Sequence, residues 1–138
     1  MVLIKQNDFI QYKFENKILL ITILKAQPTD EEWEFTKDTI MCFYDAALLK
    51  EYTISLIFDL KELGMLDVTK IKEWAELFKT NRHKTLKVLR SSAMITDNTF
   101  FRITINMFLT MYRNSKPITI VSSYEEALEF INKNEYYA

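Results

Sequence analysis

The 138 residues predict an α/β fold: a single mixed five-stranded sheet with an N-terminal hairpin and about four helices, in the order β-β-α-β-α-β-α-β-α. Three observations carry that prediction. Phe9–Phe14 and Ile18–Leu24 are apolar-rich runs separated only by Glu15, Asn16 and Lys17, the spacing of an antiparallel hairpin. Downstream, apolar runs alternate with segments whose apolar residues recur every three or four positions, the pattern of helices laid over one sheet. One of those runs, Ile54–Leu60, is almost wholly apolar, as a central strand covered on both faces should be.

Each element has a local reason. Pro28 and Thr29 open the first helix: Thr29 is a natural N-cap and Glu32 stands at the third helical position of a capping box. Acidic residues in that first turn also suit the helix dipole. Trp33, Thr36, Ile40, Phe43 and Ala47 form its inward stripe, and it runs to about Leu49. After the Ile54–Leu60 strand, a loop from Lys61 to Leu66 leads to Asp67, which caps a second helix. That helix turns Ile71, Trp74, Ala75 and Phe78 inward and ends near Lys79. A fourth strand lies within Leu86–Ile95. Asp97 or Asn98 caps a third helix reaching about Tyr112. Pro117–Val121 is the fifth strand, and Ser122 or Ser123, each with a glutamate three residues on, caps the last helix. Ala127, Leu128 and Ile131 face inward from it. No linker or repeat divides the chain, so residues 1–138 read as one domain with its core from about Phe9 to Ile131 and a frayed tail at Lys133–Ala138.

Composition then excludes chemistries. Hydrophobic residues at 49% rule out global disorder. A chain of this mass buries about 16,000 Å² on folding, roughly two-thirds of what it exposes unfolded, so no disulfide or metal is needed. Eighteen basic against 19 acidic residues, a net charge of −1, exert no general pull on nucleic acid or anionic membrane. Gly64 is the only glycine, so neither a P-loop nor a dinucleotide-binding turn can be written. His83 and Cys42, one of each type, cannot supply a structural zinc site. His83 lies in the polar run Thr80–Lys84 and reads as an exposed loop residue; Cys42 falls within the first helix and reads as a small buried hydrophobe. No run approaches the ~20 apolar residues of a membrane span. A cytoplasmic protein with no cofactor, no metal and no catalytic residues is the expectation.

Three segments stand out. The third helix has apolar residues around most of its circumference, with Arg102, Asn106, Thr110 and Arg113 as a narrow polar stripe. A surface helix needs one apolar face. The surplus fits a helix sunk in the core, or one whose second side meets another copy of the chain in a homodimer or borders a ligand cavity. Phe100, Phe101, Met107, Phe108, Met111 and Tyr112 would form that partner or ligand surface. The second segment, Lys79–Arg90, has no acidic residue. It reads as a solvated loop leading into a strand or, through Arg82, Lys84, Lys87 and Arg90, as an anion contact; no nucleic-acid signature accompanies it. The acidic residues Asp30, Glu31, Glu32, Glu34 and Asp38 could pair with it between copies. The third segment is the junction from Asp59 to Lys70. Ligand sites of open α/β sheets gather where strands give way to helix N-termini, and a phosphate on Thr69 would meet the unpaired N–H groups of a first helical turn. Ordinary capping by Asp67, with Thr69 as a first-turn residue, explains the same spacing.

The Phe58–Asp59–Leu60 strand end, Leu63 and Asp67-x-Thr69 resemble the STAS domain family, typified by anti-sigma-factor antagonists. There an Asp–Ser–Ser/Thr–Gly motif opens the helix, and its second hydroxyl residue is a phosphorylation switch. Asp67 aligns with the aspartate and Thr69 with the switch, while Val68 and Lys70 replace the first hydroxyl and the glycine. Over nearly the whole chain the pattern is more similar to the SpoIIAA-like branch, related in shape to SEC14-type lipid-binding domains. That branch begins with a hairpin, keeps an aspartate after the third strand, and ends in a short strand and an acidic-capped helix. The resemblance implies a non-catalytic binding or regulatory module working through protein–protein contacts, with carriage of a small apolar or lipid-like ligand beside the third helix as the alternative.

Overall fold

The computed structural model describes residues 2–99, 102, 103, 105, 106, 108 and 116–134. One sheet orders its strands as they occur in the chain: β1 (Leu3–Gln6), β2 (Ile10–Glu15), β3 (Ile18–Ile23), β4 (Ile54–Asp59), β5 (Leu89–Ile95) and β6 (Ile118–Val121). The first three pair antiparallel; β3 to β6 run parallel. The β2–β3 hairpin closes on Asn16 and Lys17, both at positive φ, which matches the twist of the flanking strands.

The sheet has six strands where the sequence predicts five. The added strand, β1, is exposed at every position, with Leu3 and Ile4 at 45% and 50%. An edge strand with no buried face leaves no alternation to read. Asn7 makes the turn into β2: its side-chain oxygen accepts from the N–H groups of Phe9 and Ile10, both at 2.9 Å.

Among the described residues, helices α1 (Asp30–Lys50), α2 (Val68–Thr80) and α3 (Arg82–Val88) precede β5, and α4 (Tyr124–Lys133) follows β6. Thr99, Arg102, Ile103, Ile105, Asn106 and Phe108, between β5 and β6, are helical as well. The chain steps across the parallel strands always in one direction, and crossovers of one hand then put their helices on one face. Leu19, Ile21, Leu56, Phe58 and Met94 from the strands accordingly pack with Trp33, Ile40, Tyr44, Phe78 and Ile105. Alternate residues Ile57, Ala93 and Ile95 meet Ala127 and Ile131 of α4 on the opposite face.

The helix starts follow their caps. Thr29 and Glu32 form the reciprocal capping box of α1, and all five stripe residues are buried. Asp67 caps α2, and Ser123 caps α4. Asn98 stands just before Thr99 and accepts from the Arg102 N–H. Two expectations are overturned. The Lys79–Arg90 segment is not an open loop: Asn81 bonds back to the Leu77 carbonyl, the N–H groups of Lys84 and Thr85 bond to Asn81, and Thr85 and Val88 are buried. This places His83 on α3, still exposed, and starts β5 at Leu89. Cys42 is exposed, not buried: it lies two residues from Ile40, off the inward stripe of α1.

Candidate binding site

The carboxyl edge of the parallel strands is built from two loops that touch. After β3, residues 24–29 lead to α1; after β4, residues 60–67 lead to α2. The Gly64 N–H donates to the Ala26 carbonyl at 2.8 Å, and the Gln27 amide donates to the Met65 carbonyl. A Cβ at position 64 would stand 3.0 Å from both the Ala26 oxygen and the Gln27 amide nitrogen. That close approach is where the chain uses its one glycine. The Leu60 N–H joins the second loop to the end of β5 through the Ile95 carbonyl, 3.0 Å away.

Beneath these loops lies an apolar pocket of about 100 Å³. Ile10, Ile21, Ile23, Phe58 and Met94 come to it from the sheet, Trp33 and Thr36 from α1, and Ile71 and Trp74 from α2. Phe9, Leu60, Leu63, Leu66, Ile105 and Phe108 complete its described wall, on which no side chain is ionisable. Both tryptophans of the chain stand here, their ring centroids 5.7 Å apart. Trp74 also meets Phe58 edge-on at 6.4 Å and Phe78 at 5.1 Å. A smaller hollow of about 30 Å³ on the Tyr44 and Leu89 side shares Phe58, Trp74, Met94 and Phe108 with the first.

Polar groups at the pocket are few. The Thr36 hydroxyl donates to the Glu32 carbonyl at 2.8 Å, and the Tyr12 hydroxyl donates to the Thr36 carbonyl at 2.6 Å. Burial first, and the neighbouring Tyr44 second, raise the Tyr12 phenol well above its ordinary range, so it stays a neutral donor. The Trp33 indole N–H is buried and has no acceptor among the described residues.

The structure separates the residues that the sequence singled out. Thr69 is exposed in the first turn of α2, and its N–H donates to Asp67 Oδ1 at 2.8 Å. A backbone amide that would receive a phosphate is therefore already held by a carboxylate. Hydrogen bonds from the Thr69 backbone, then from its side chain, with Lys70 nearby, hold the Asp67 carboxyl below its usual range. A lowered carboxyl stabilises the fold above its unfolded-state pKa and loses that contribution as pH falls through the folded value. Asp67→Asn keeps a capping side chain without the titration. The stability gap between wild type and this variant, measured by thermal unfolding, should therefore shrink steadily on acidification from pH 6 to pH 3.

Asp59 ends β4 and accepts from the Lys61 N–H at 3.2 Å, with Lys61 Nζ 3.9 Å away. It follows Phe58, so strand alternation turns it from the pocket face. Lys84 is tied to Asp45 at 2.7 Å; Arg82 and Lys87 are exposed on α3, and Arg90 is half-buried in β5. The acidic start of α1 makes ion pairs within the chain. Asp30 meets Lys70, Glu32 meets Lys25, and Glu34 shares Lys37 with Glu73. Phe108 lines the pocket; Phe100, Phe101, Met107, Met111 and Tyr112 lie outside the described residues. Among the described residues, no cluster of three His, Cys, Asp or Glu could hold a metal, and no helix is long and apolar enough to cross a membrane. Sequence reading assigned Trp33, Trp74 and Phe58 to the core. A cavity wall and a filled core have the same apolar periodicity, so nothing in the spacing distinguishes them.

No protein-family model matches this chain, and no curated protein matches it. Among solved structures it is similar to an uncharacterized protein of the DUF3478 family with a SpoIIAA-like fold from Shewanella loihica PV-4. The two share 16% identity, the match covers 94% of this chain and 91% of that one, and the TM-score is 0.55. A likeness at that identity speaks for architecture and not for activity. The parallel β3–β6 crossovers, the Asp67-capped helix and this structural match together give the chain a SpoIIAA-like, STAS-type fold.

Proposed function

We propose that this chain is a non-catalytic STAS-like binding module that takes up a small apolar ligand in the pocket at the carboxyl edge of its sheet. The pocket wall carries the reading: fifteen described residues line it, and among them none is an acid, a base or a nucleophile apart from the Thr36 hydroxyl, whose proton is committed to Glu32. Such a wall rewards burial of apolar surface and offers no group for general acid–base work. The position fits, since open α/β sheets bind ligands outside the carboxyl ends of their strands.

A second reading, a regulator acting through protein contacts and self-association, draws on the same edge from outside. Leu24, Met65, Val68 and Ile103 are exposed there or in the helical segment beside it, Met65 at 73%. Exposed apolar side chains gathered in one region favour a partner surface. Native mass spectrometry of the gently purified protein separates the two. The expected spectrum is the chain mass plus a small retained adduct that is lost on collisional activation. A clean dimer mass with no adduct, before and after incubation with apolar small molecules, overturns ligand uptake in favour of the contact reading.

A further inference from the structure

The Trp33 indole N–H is a hydrogen-bond donor on a residue of the pocket wall; the residue is 5% exposed, and the nitrogen has no acceptor among the described residues. A buried donor without an acceptor is costly and uncommon in folded proteins. The rest of the wall does nothing to relieve it. Thr36, one helical turn along the same face of α1, spends its proton on Glu32, and every other described lining side chain is apolar apart from the Trp74 indole, which is itself a donor. We infer that the pocket takes a small uncharged ligand carrying one hydrogen-bond acceptor, a ketone or ether oxygen on an apolar body, and that Trp33 Nε1 donates to it. This deepens the ligand-uptake reading proposed above and rests on it.

Size and charge narrow the class. An apolar hollow of about 150 Å³ holds one benzene, so about 100 Å³ suits a body of about four heavy atoms as it stands, one of benzene's size once side chains give way, or the tip of a longer one. A carboxylate would have to shed its water among side chains that return no charge, so the acceptor is neutral. The nitrogen has almost no accessible surface of its own. An acceptor therefore reaches it only as neighbouring side chains give way, and binding is accompanied by movement of the aromatic cluster.

Both tryptophans stand at the pocket, so intrinsic fluorescence reports binding directly. The test uses cyclopentanone and methylenecyclopentane, which have the same shape and differ in an oxygen against a CH₂. The ratio of ketone to alkene affinity should be about fivefold higher in the wild type than in Trp33→Phe, the size of one net hydrogen bond. In the wild type the Trp33 indole proton resonance should move downfield with the ketone and not with the alkene, an observation that needs no variant to fold. Equal ratios in the two proteins, or an unmoved indole proton in ketone-saturated protein, overturn the donor role while alkene binding still upholds the pocket. If neither probe binds, ligand uptake itself fails and this inference falls with it.

Discussion

Phe78→Ala is expected to destabilise the protein by about 3–5 kcal/mol, the usual cost of emptying a buried aromatic site. Phe78 lies at the centre of the α2 packing. Its ring stands 5.1 Å from Trp74, 6.0 Å from Tyr44 and 6.5 Å from Phe108, and it borders the smaller hollow. Truncation removes these ring contacts at once and enlarges a space already underfilled, so the neighbours cannot close it cheaply. Against a total stability of roughly 5–15 kcal/mol, the midpoint of thermal unfolding should fall by roughly 10–20 °C. Trp74 emission should shift to the red as its neighbour is lost. A loss below about 1.5 kcal/mol in denaturant titration would mean that α2 is not anchored there.

Ile57→Ala is expected to cost about 2–5 kcal/mol, from the other side of the sheet. Ile57 is fully buried and packs with Ala93, Ile95, Ala127 and Ile131. That cluster is small, so the loss of three carbons removes a large share of what holds α4 down. The functional consequence is a contrast. Phe78→Ala changes the aromatic partition between the two hollows and should alter the affinity for an apolar probe. Ile57→Ala faces away and should leave that affinity unchanged at temperatures where the variant is folded. Equal effects of both substitutions on probe binding would contradict the two-faced division of the core.

The capping box of α1, the β2–β3 hairpin and the inward stripe of α1 were legible because each depends on residues within one or two turns of each other. Thr29 with Glu32, Asn16 with Lys17 and the Trp33–Ala47 spacing are such cases. Two errors share the opposite cause. The exposed β1 and the polar α3 bury little, so their periodicity is faint; pairing with β2 holds the first, and packing of Thr85 and Val88 holds the second. The family resemblance drew attention to Thr69 and Asp59, whose hydrogen bonds are those of a helix cap and a turn.

By itself the sequence determined the alternating α/β architecture, the helix starts and a composition poor in the residues that build phosphate loops, metal centres and catalytic triads. Tertiary structure alone decided that Trp33, Trp74, Phe58 and Met94, from four elements far apart in the chain, surround a hollow instead of filling it. The physical reason is that apolar patterning specifies which side chains leave water. Whether they then meet without a gap depends on how distant loops seat the helices, here through the close contact of Gly64 with Ala26.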